Sequence, residues 1–208
     1  MFTGIVEESG KIARIEKISG KTYFTIQCAT VTDGLKIGDS VSCNGICLTV
    51  VDFSKDRIKA EAMPETLSVT TAKYWKVNDK INLERAMSSQ SRFDGHIVQG
   101  HVDTIAKRLS KSESQNSLYL EYELPYEFAE LIVNKGSVAI NGVSLTVSET
   151  GNNSFKVALI GITKEHTNLV SSKLVNLEFD ILGKYVQRMM NARNKQKLTQ
   201  EYLMKKGF

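Results

Sequence analysis

The 208 residues carry 41% hydrophobic and 24% charged side chains, a globular composition that excludes a disordered or collagen-like chain. Lys+Arg 27 against Asp+Glu 23 gives a net charge of +4, too small an excess to imply nucleic acid or membrane as a partner. The excess is also local. Lys184, Arg188, Arg193, Lys195, Lys197, Lys205 and Lys206 face only Glu201 in the last stretch of the chain, so the body before it is mildly acidic. Without an aromatic ladder beside it, this basic tail reads as a solvated helix rather than a nucleic-acid site.

In chain order, the start Met1-Phe-Thr-Gly4 lacks the basic and apolar regions of a secretory leader. Cys28, Cys43 and Cys47 form an odd set, which suits free thiols in a reducing cytoplasm. No apolar run approaches the ~18 residues of a membrane span. Phe24–Cys28 and Arg57–Ala62 alternate apolar and polar, as half-buried antiparallel strands do. Asn44-Gly45 interrupts an apolar run and predicts a turn, bulge or corner. Met87–Asp94 is polar and joins two halves. Leu118–Leu124 alternates again, and Asn141-Gly142 and Gly151-Asn152-Asn153 punctuate the second half. Short helices are expected over Tyr126–Asn134 and Lys164–Leu169. An amphipathic helix is expected over Lys184–Lys206, with Val186, Met189 and Met190 on one face and Leu198, Tyr202 and Leu203 further on. Such a tail either covers an edge of its own chain or joins its equivalents in an oligomer, and the second is favoured.

The chain repeats itself. Asp39–Val50 (DSVSCNGICLTV) and Gly136–Val147 (GSVAINGVSLTV) agree at seven of twelve positions, offset by 97. Gly4-Ile-Val-Glu7 matches Gly100-His-Val-Asp103, and the run from Val77 to Glu84 matches Leu174-Val-Asn-Leu-Glu178. Three matches in one order at nearly one offset describe a duplicated domain, too long in period for a solenoid. Many short strands with few helices predict an all-β chain of small barrels or sandwiches. The units expected are 1–96, 97–183 and a terminal helix over 184–208.

The halves differ where chemistry could sit. Cys47 becomes Ser144, Ile5 becomes His101, and Gly38 becomes Lys135. Polar groups thus collect in the second half, as they would if one copy acquired catalysis; drift after duplication gives the same pattern. Ser144 lacks the Gly-x-Ser-x-Gly turn of a hydrolase nucleophile. Cys43 and Cys47 would share a strand face and His96 and His101 would not, so no tetrahedral metal set is expected. No phosphate-binding glycine loop is present, so no nucleotide cofactor is expected.

Met1-Phe-Thr-Gly-Ile-Val-Glu7, Asn44-Gly-Ile-Cys-Leu-Thr-Val50, Gly95-His-Ile-Val-Gln-Gly-His-Val-Asp103 and Asn141-Gly-Val-Ser-Leu-Thr-Val147 together closely resemble riboflavin synthase of the alpha-chain type, over essentially the whole chain. The resemblance implies two tandem Greek-key antiparallel β-barrels with a C-terminal α-helix that assembles a homotrimer, and names lumazine synthase as a candidate partner. It implies dismutation of two 6,7-dimethyl-8-ribityllumazine molecules, without metal or cofactor, into riboflavin and 5-amino-6-(D-ribitylamino)uracil. A non-catalytic lumazine- or flavin-binding antenna protein shares the duplicated barrels and is the alternative. By motif matching, the first pocket would use Gly4, Ile5, Val6, Cys47, Leu48, Thr49, Glu61, Ala62, Met63, Pro64, Glu65 and Thr66. The second would use Gly100, His101, Val102, Lys135, Ser144, Leu145, Thr146, Ala158, Leu159, Ile160, Gly161, Ile162 and Thr163. His101 and Ser144 would handle protons, Cys47 would act as nucleophile or polar contact, Lys135 would stabilise negative charge, and Asp180 would relay a proton. Ile160-Gly-Ile-Thr163 departs from the Pro-Glu pair kept in Met63-Pro-Glu-Thr66, which leaves the grip on the second ribityl chain without its carboxylate.

Overall fold

A computed structural model describes residues 1–114, 117–195 and 204. The first half builds β1 (Glu8–Ile18), β2 (Lys21–Gln27), β3 (Ser40–Cys43), β4 (Ile46–Ser54), β5 (Arg57–Ala62) and β6 (Lys80–Arg85), with α1 (Pro64–Val69) and a 3-10 turn (Thr71–Tyr74) between the last two strands. The second half builds β7 (Thr104–Ser114), β8 (Ser117–Glu123), β9 (Ser137–Ile140), β10 (Val143–Thr150), β11 (Ser154–Leu159) and β12 (Leu174–Phe179), with α2 (Gly161–His166) before β12. Helix α3 (Ile181–Lys195) comes last.

Each half closes into an antiparallel barrel. The strand order is β1-β2-β5-β4-β3-β6, and the second barrel repeats it as β7-β8-β11-β10-β9-β12. Alternation produces the closure: β2 and β8 bury every second residue, Phe24 and Ile26 in one core and Leu118, Leu120 and Tyr122 in the other. The register shifts at Ile12/Arg14 and Val50/Asp52 recur at Arg108/Ser110 and Val147/Glu149, so the bulges that curl the strands were duplicated with them.

Asn44-Gly45 and Asn141-Gly142 are two-residue hairpin turns, with φ of 49° and 76° in one and 47° and 77° in the other. Both central residues need positive φ in this turn, which Asn-Gly supplies at least strain. The turn also corrects one expectation: Cys43 ends β3 and Cys47 lies on β4, so they share no strand face. The helices differ in detail from their sequence signals. Tyr126–Leu131 is a 3-10 helix, and the helix expected at Lys164–Leu169 begins at Gly161. Its counterpart α1 gave no signal; this six-residue helix buries no side chain and so shows no period. Helix α3 starts at Ile181, ahead of the expected Lys184; Leu198, Tyr202 and Leu203 lie outside the described residues.

The two barrels meet along β6 and β12. Ile81 and Leu83 point into one core, Val175 and Leu177 into the other, so Asn82, Glu84, Asn176 and Glu178 point outward. These four polar residues are nonetheless at most 5% exposed: the asparagines meet the opposite half, and the glutamates lie under the segments that lead into β1 and β7. The asparagine amides pair reciprocally. Asn82 Nδ2 donates to the Asn141 carbonyl (3.0 Å) and Asn176 Nδ2 to the Asn44 carbonyl (2.8 Å). Asn82 Oδ1 accepts from Asn168 N (2.8 Å), and Asn176 Oδ1 from Thr71 N (2.7 Å). At the centre the two hairpin tips touch; a Cβ on Gly45 or on Gly142 would come within 2.7 Å of the other's backbone nitrogen.

Candidate active site

The motif segments that precede β1 and β7 are straps rather than strands. Phe2 and Val98 pair as one antiparallel bridge, and Thr3–Glu7 and Gln99–Asp103 run on from it. Each strap crosses to the opposite barrel. The Ser144 N–H donates to the Gly4 carbonyl at 2.8 Å, and the Cys47 N–H donates to the Gly100 carbonyl at 2.9 Å. Val6 packs on the second core and Val102 on the first. Gly4 and Gly100 hold φ of 81° and 79°, and a Cβ on either would meet the Ser144 or the Cys47 Cβ at 2.6 Å. Only glycine permits this approach.

The crossing regroups the sequence-derived pockets. Gly4, Ile5 and Val6, assigned by motif order to the Cys47 pocket, lie on the Ser144 strand. Gly100, His101 and Val102, assigned to the Ser144 pocket, lie on the Cys47 strand. His101 and Ser144 therefore belong to different junctions. The first junction comprises Cys47, Leu48 and Thr49 of β4, the His101 strap, and the end of β5 leading into α1. Glu61 pairs with Thr49 across β4 and β5. Lys21 Nζ lies 2.9 Å from Glu61 Oε1, and hydrogen bonds from Lys21 and Tyr23 hold that carboxyl below its usual range. Beyond it Ala62 is buried, Met63, Pro64 and Glu65 are exposed, and Thr66 is half-buried. The second junction comprises Ser144, Leu145 and Thr146 of β10, the Ile5 strap, and β11 leading into α2. Here Ala158 and Thr163 are half-buried, Leu159 is buried, and Ile160, Gly161 and Ile162 are exposed. Exposed Ile160 and Ile162 stand where the first half has Met63 and Glu65, so this rim is apolar.

A residue outside the motif-derived set completes the second junction. His96 Nδ1 lies 2.7 Å from Ser144 Oγ, and the ring is 8% exposed. Its Nε2 is buried without a partner among the described residues. Burial depresses its pKa below the histidine value of 6.5, against the opposing field of Asp180. The ring is thus neutral near pH 7, and a neutral imidazole can accept the serine proton. The internal repeat could not reveal His96, because an offset of 96 places its counterpart ahead of Met1.

Lys135 is exposed with a φ of 65°, at the position where the first half has Gly38 with a φ of 93°. Both N–H groups make the same bond, to Val147 and Val50 respectively, at 2.8 Å. A side chain held at a glycine position stores strain. Asp180 Oδ1 accepts from Leu182 N at 3.0 Å and caps α3. Its charge still reaches His96. A cleft of about 660 Å³ lies against the first barrel, between Asp33, Arg85 and Arg92. Of the expected residues only Ile5 lines it, and its arginines pair with Glu7 and Asp94, so it lies largely apart from both junctions.

The chain matches the lumazine binding domain twice, over residues 3–86 and 99–180. It is 40% identical to the riboflavin synthase of Actinobacillus pleuropneumoniae and 37% identical to that of Bacillus subtilis (strain 168), with both chains covered in full in each case. Its fold superposes on a crystal structure of LumP complexed with riboflavin at a TM-score of 0.79, with 25% identity over 86% of this chain and 99% of that one. Two matching domains in tandem and full-length identity to these synthases place the chain in the riboflavin synthase family.

Proposed function

We propose that this chain is a riboflavin synthase, converting two molecules of 6,7-dimethyl-8-ribityllumazine into riboflavin and 5-amino-6-(D-ribitylamino)uracil. The observation that carries the reading is the pair of quasi-equivalent strap-on-strand junctions fitted with unlike side chains, Cys47 under the His101 strap and Ser144 under the Ile5 strap beside His96. Two copies of one heterocycle call for two similar pockets, and one donor and one acceptor call for different chemistry within them.

The C7 methyl of the lumazine is acidic because its anion delocalises into the ring, so a modest base suffices. The anion adds to the second ring, and eliminations hand four carbons from donor to acceptor. Atoms and electrons balance between the two lumazines and the two products, so no oxidant, metal or cofactor is required. Ser144 with His96 and Cys47 with His101 are the groups for proton movement and addition; Lys135 stabilises negative charge on a ring. Main-chain groups beside Leu48 and Leu145 read the pyrimidinedione edge, while Thr49, Thr66, Thr146, Thr163 and Glu65 serve ring or ribityl oxygens. Register between the two rings supplies much of the rate.

Exposed Leu182, Tyr185, Val186, Met189 and Met190 on α3 support assembly of a homotrimer, in which a pocket of one subunit faces a pocket of its neighbour. Three free thiols suit a reducing cytoplasm. Lumazine synthase remains the candidate partner. The test is to incubate the purified protein with the lumazine alone. Riboflavin exceeding one equivalent per chain supports the enzyme; a static fluorescent complex, the behaviour of an antenna protein, refutes it.

A further inference from the structure

Glu84 and Glu178 end the third repeat match, Asn82-Leu-Glu84 against Asn176-Leu-Glu178, and neither belongs to the sites assigned above. Each lies on the outer face of its barrel's last strand and is buried beneath the strap of its own half, at 5% and 3% exposure. Glu178 Oε1 accepts from the Gln99 N–H (2.6 Å), and Oε2 from the Gly100 (2.9 Å) and His101 (3.1 Å) N–H groups. Glu84 Oε1 accepts from Thr3 N (2.7 Å) and Thr3 Oγ1 (2.8 Å), and Oε2 from Gly4 N (3.0 Å). Successive N–H groups aimed at one carboxylate form a cradle that a neutral amide fills badly, since its NH2 would face donors. The far ends of the straps are tied to the same strands. Asp103 Oδ2 accepts from Phe179 N at 2.8 Å and Glu7 Oε1 from Arg85 N at 2.7 Å.

We infer that the two glutamates are positioning residues that act crosswise: Glu178 of the second barrel holds the His101 strap over Cys47 of the first, and Glu84 of the first holds the Ile5 strap over Ser144 of the second. The contact chain is continuous, from Glu178 to Gly100 N–H, and from the Gly100 carbonyl to Cys47 N–H. Burial pushes both carboxyls above their usual range against the pull of the strap N–H groups, as expected where water cannot share the load. The inference rests on reading these junctions as substrate pockets, but its main test needs no turnover.

Cys28 and Cys43 are buried in the core and Cys47 is only partly buried, so alkylation by iodoacetamide reports on Cys47. Releasing the strap in Glu178→Gln should raise the labelling rate about tenfold, while Glu84→Gln stays within about twofold of the unaltered protein. Glu178→Asp, which keeps the charge but shortens its reach, should fall between. The Glu178→Gln variant should also lose about tenfold in kcat, from misplacement alone. An unchanged labelling rate in Glu178→Gln, an equal rise in both variants, or full turnover with a freed strap overturns the inference. If Glu178→Gln does not fold, amide exchange on the unaltered protein decides. Protection of Gln99, Gly100 and His101 by about a hundredfold or more supports the anchor, and unprotected amides overturn it. Labelling in the expected pattern without any lumazine conversion leaves the anchoring intact and removes the enzymatic reading.

Discussion

At the scale of single residues, the Ser144–His96 pair makes the clearest demands. Replacing His96 by Asn should lower riboflavin formation by a factor on the order of 10², the usual contribution of a positioned base. His96 titrates below 6.5 in the fold and at about 6.5 when unfolded. Its contribution to stability is therefore complete above 6.5 and is lost as pH falls through the folded value. Urea unfolding should show this acid-side loss in the native protein and a flatter slope in the Asn variant. Tyr122 makes the opposite demand. Its hydroxyl is fully buried without a partner among the described residues, where the first barrel has Ile26. Removing it as Tyr122→Phe should stabilise the protein by about 1 kcal/mol, read as a rise in Tm of roughly 2–4 °C. Lys135→Gly should leave Tm within a few degrees, because relief of the left-handed φ offsets the freer unfolded chain, while turnover falls. Cys47, Ser144, His101 and Lys135 stood out in the sequence because the repeat supplied a partner to contrast with each. His96 had no partner to contrast with, and Tyr122 differs from Ile26 in a way that only packing turns into a cost.

Among elements, the burial of the outer faces of β6 and β12 between the two halves is the feature that hydropathy could not display. Both strands place polar residues outward, which reads as a solvated face until a second barrel is laid against it. Asn82→Ala would strip the Asn168 N–H and the Asn141 carbonyl of buried partners, at a cost of roughly 2–4 kcal/mol. Asn176→Ala should cost a similar amount through Thr71 and Asn44, and urea unfolding of both variants checks the equivalence. The strands themselves were legible: β2, β5 and β8 alternate strictly, and the Asn-Gly turns announce their hairpins. Of the short helices, α1 was missed and α2 was placed three residues late, since six residues with no buried face carry no period. The straps misled for a related reason. Their apolar residues pack on the opposite barrel, so order along the chain does not reveal the strand each strap lies against.

For the molecule as a whole, duplication was visible at once, because identical turns and bulges need identical residues at fixed offsets. Relative placement of the copies was not, because it rests on amides whose partners lie in the other half. Helix α3 carries its apolar side chains outward with little of its own chain beneath them. If α3 assembles the proposed homotrimer, removing residues 184–208 should leave monomers by size exclusion with light scattering. The crossed straps carry a consequence for dissection. Neither half owns the backbone that finishes its own cavity, so the first barrel produced alone lacks the loop that closes it, and so does the second. Translating the two pieces separately, with the break placed in the exposed Ser88–Asp94 connector, and then mixing them should restore a noncovalent whole. In that hybrid a lesion in either fragment would silence the neighbouring fragment's cavity.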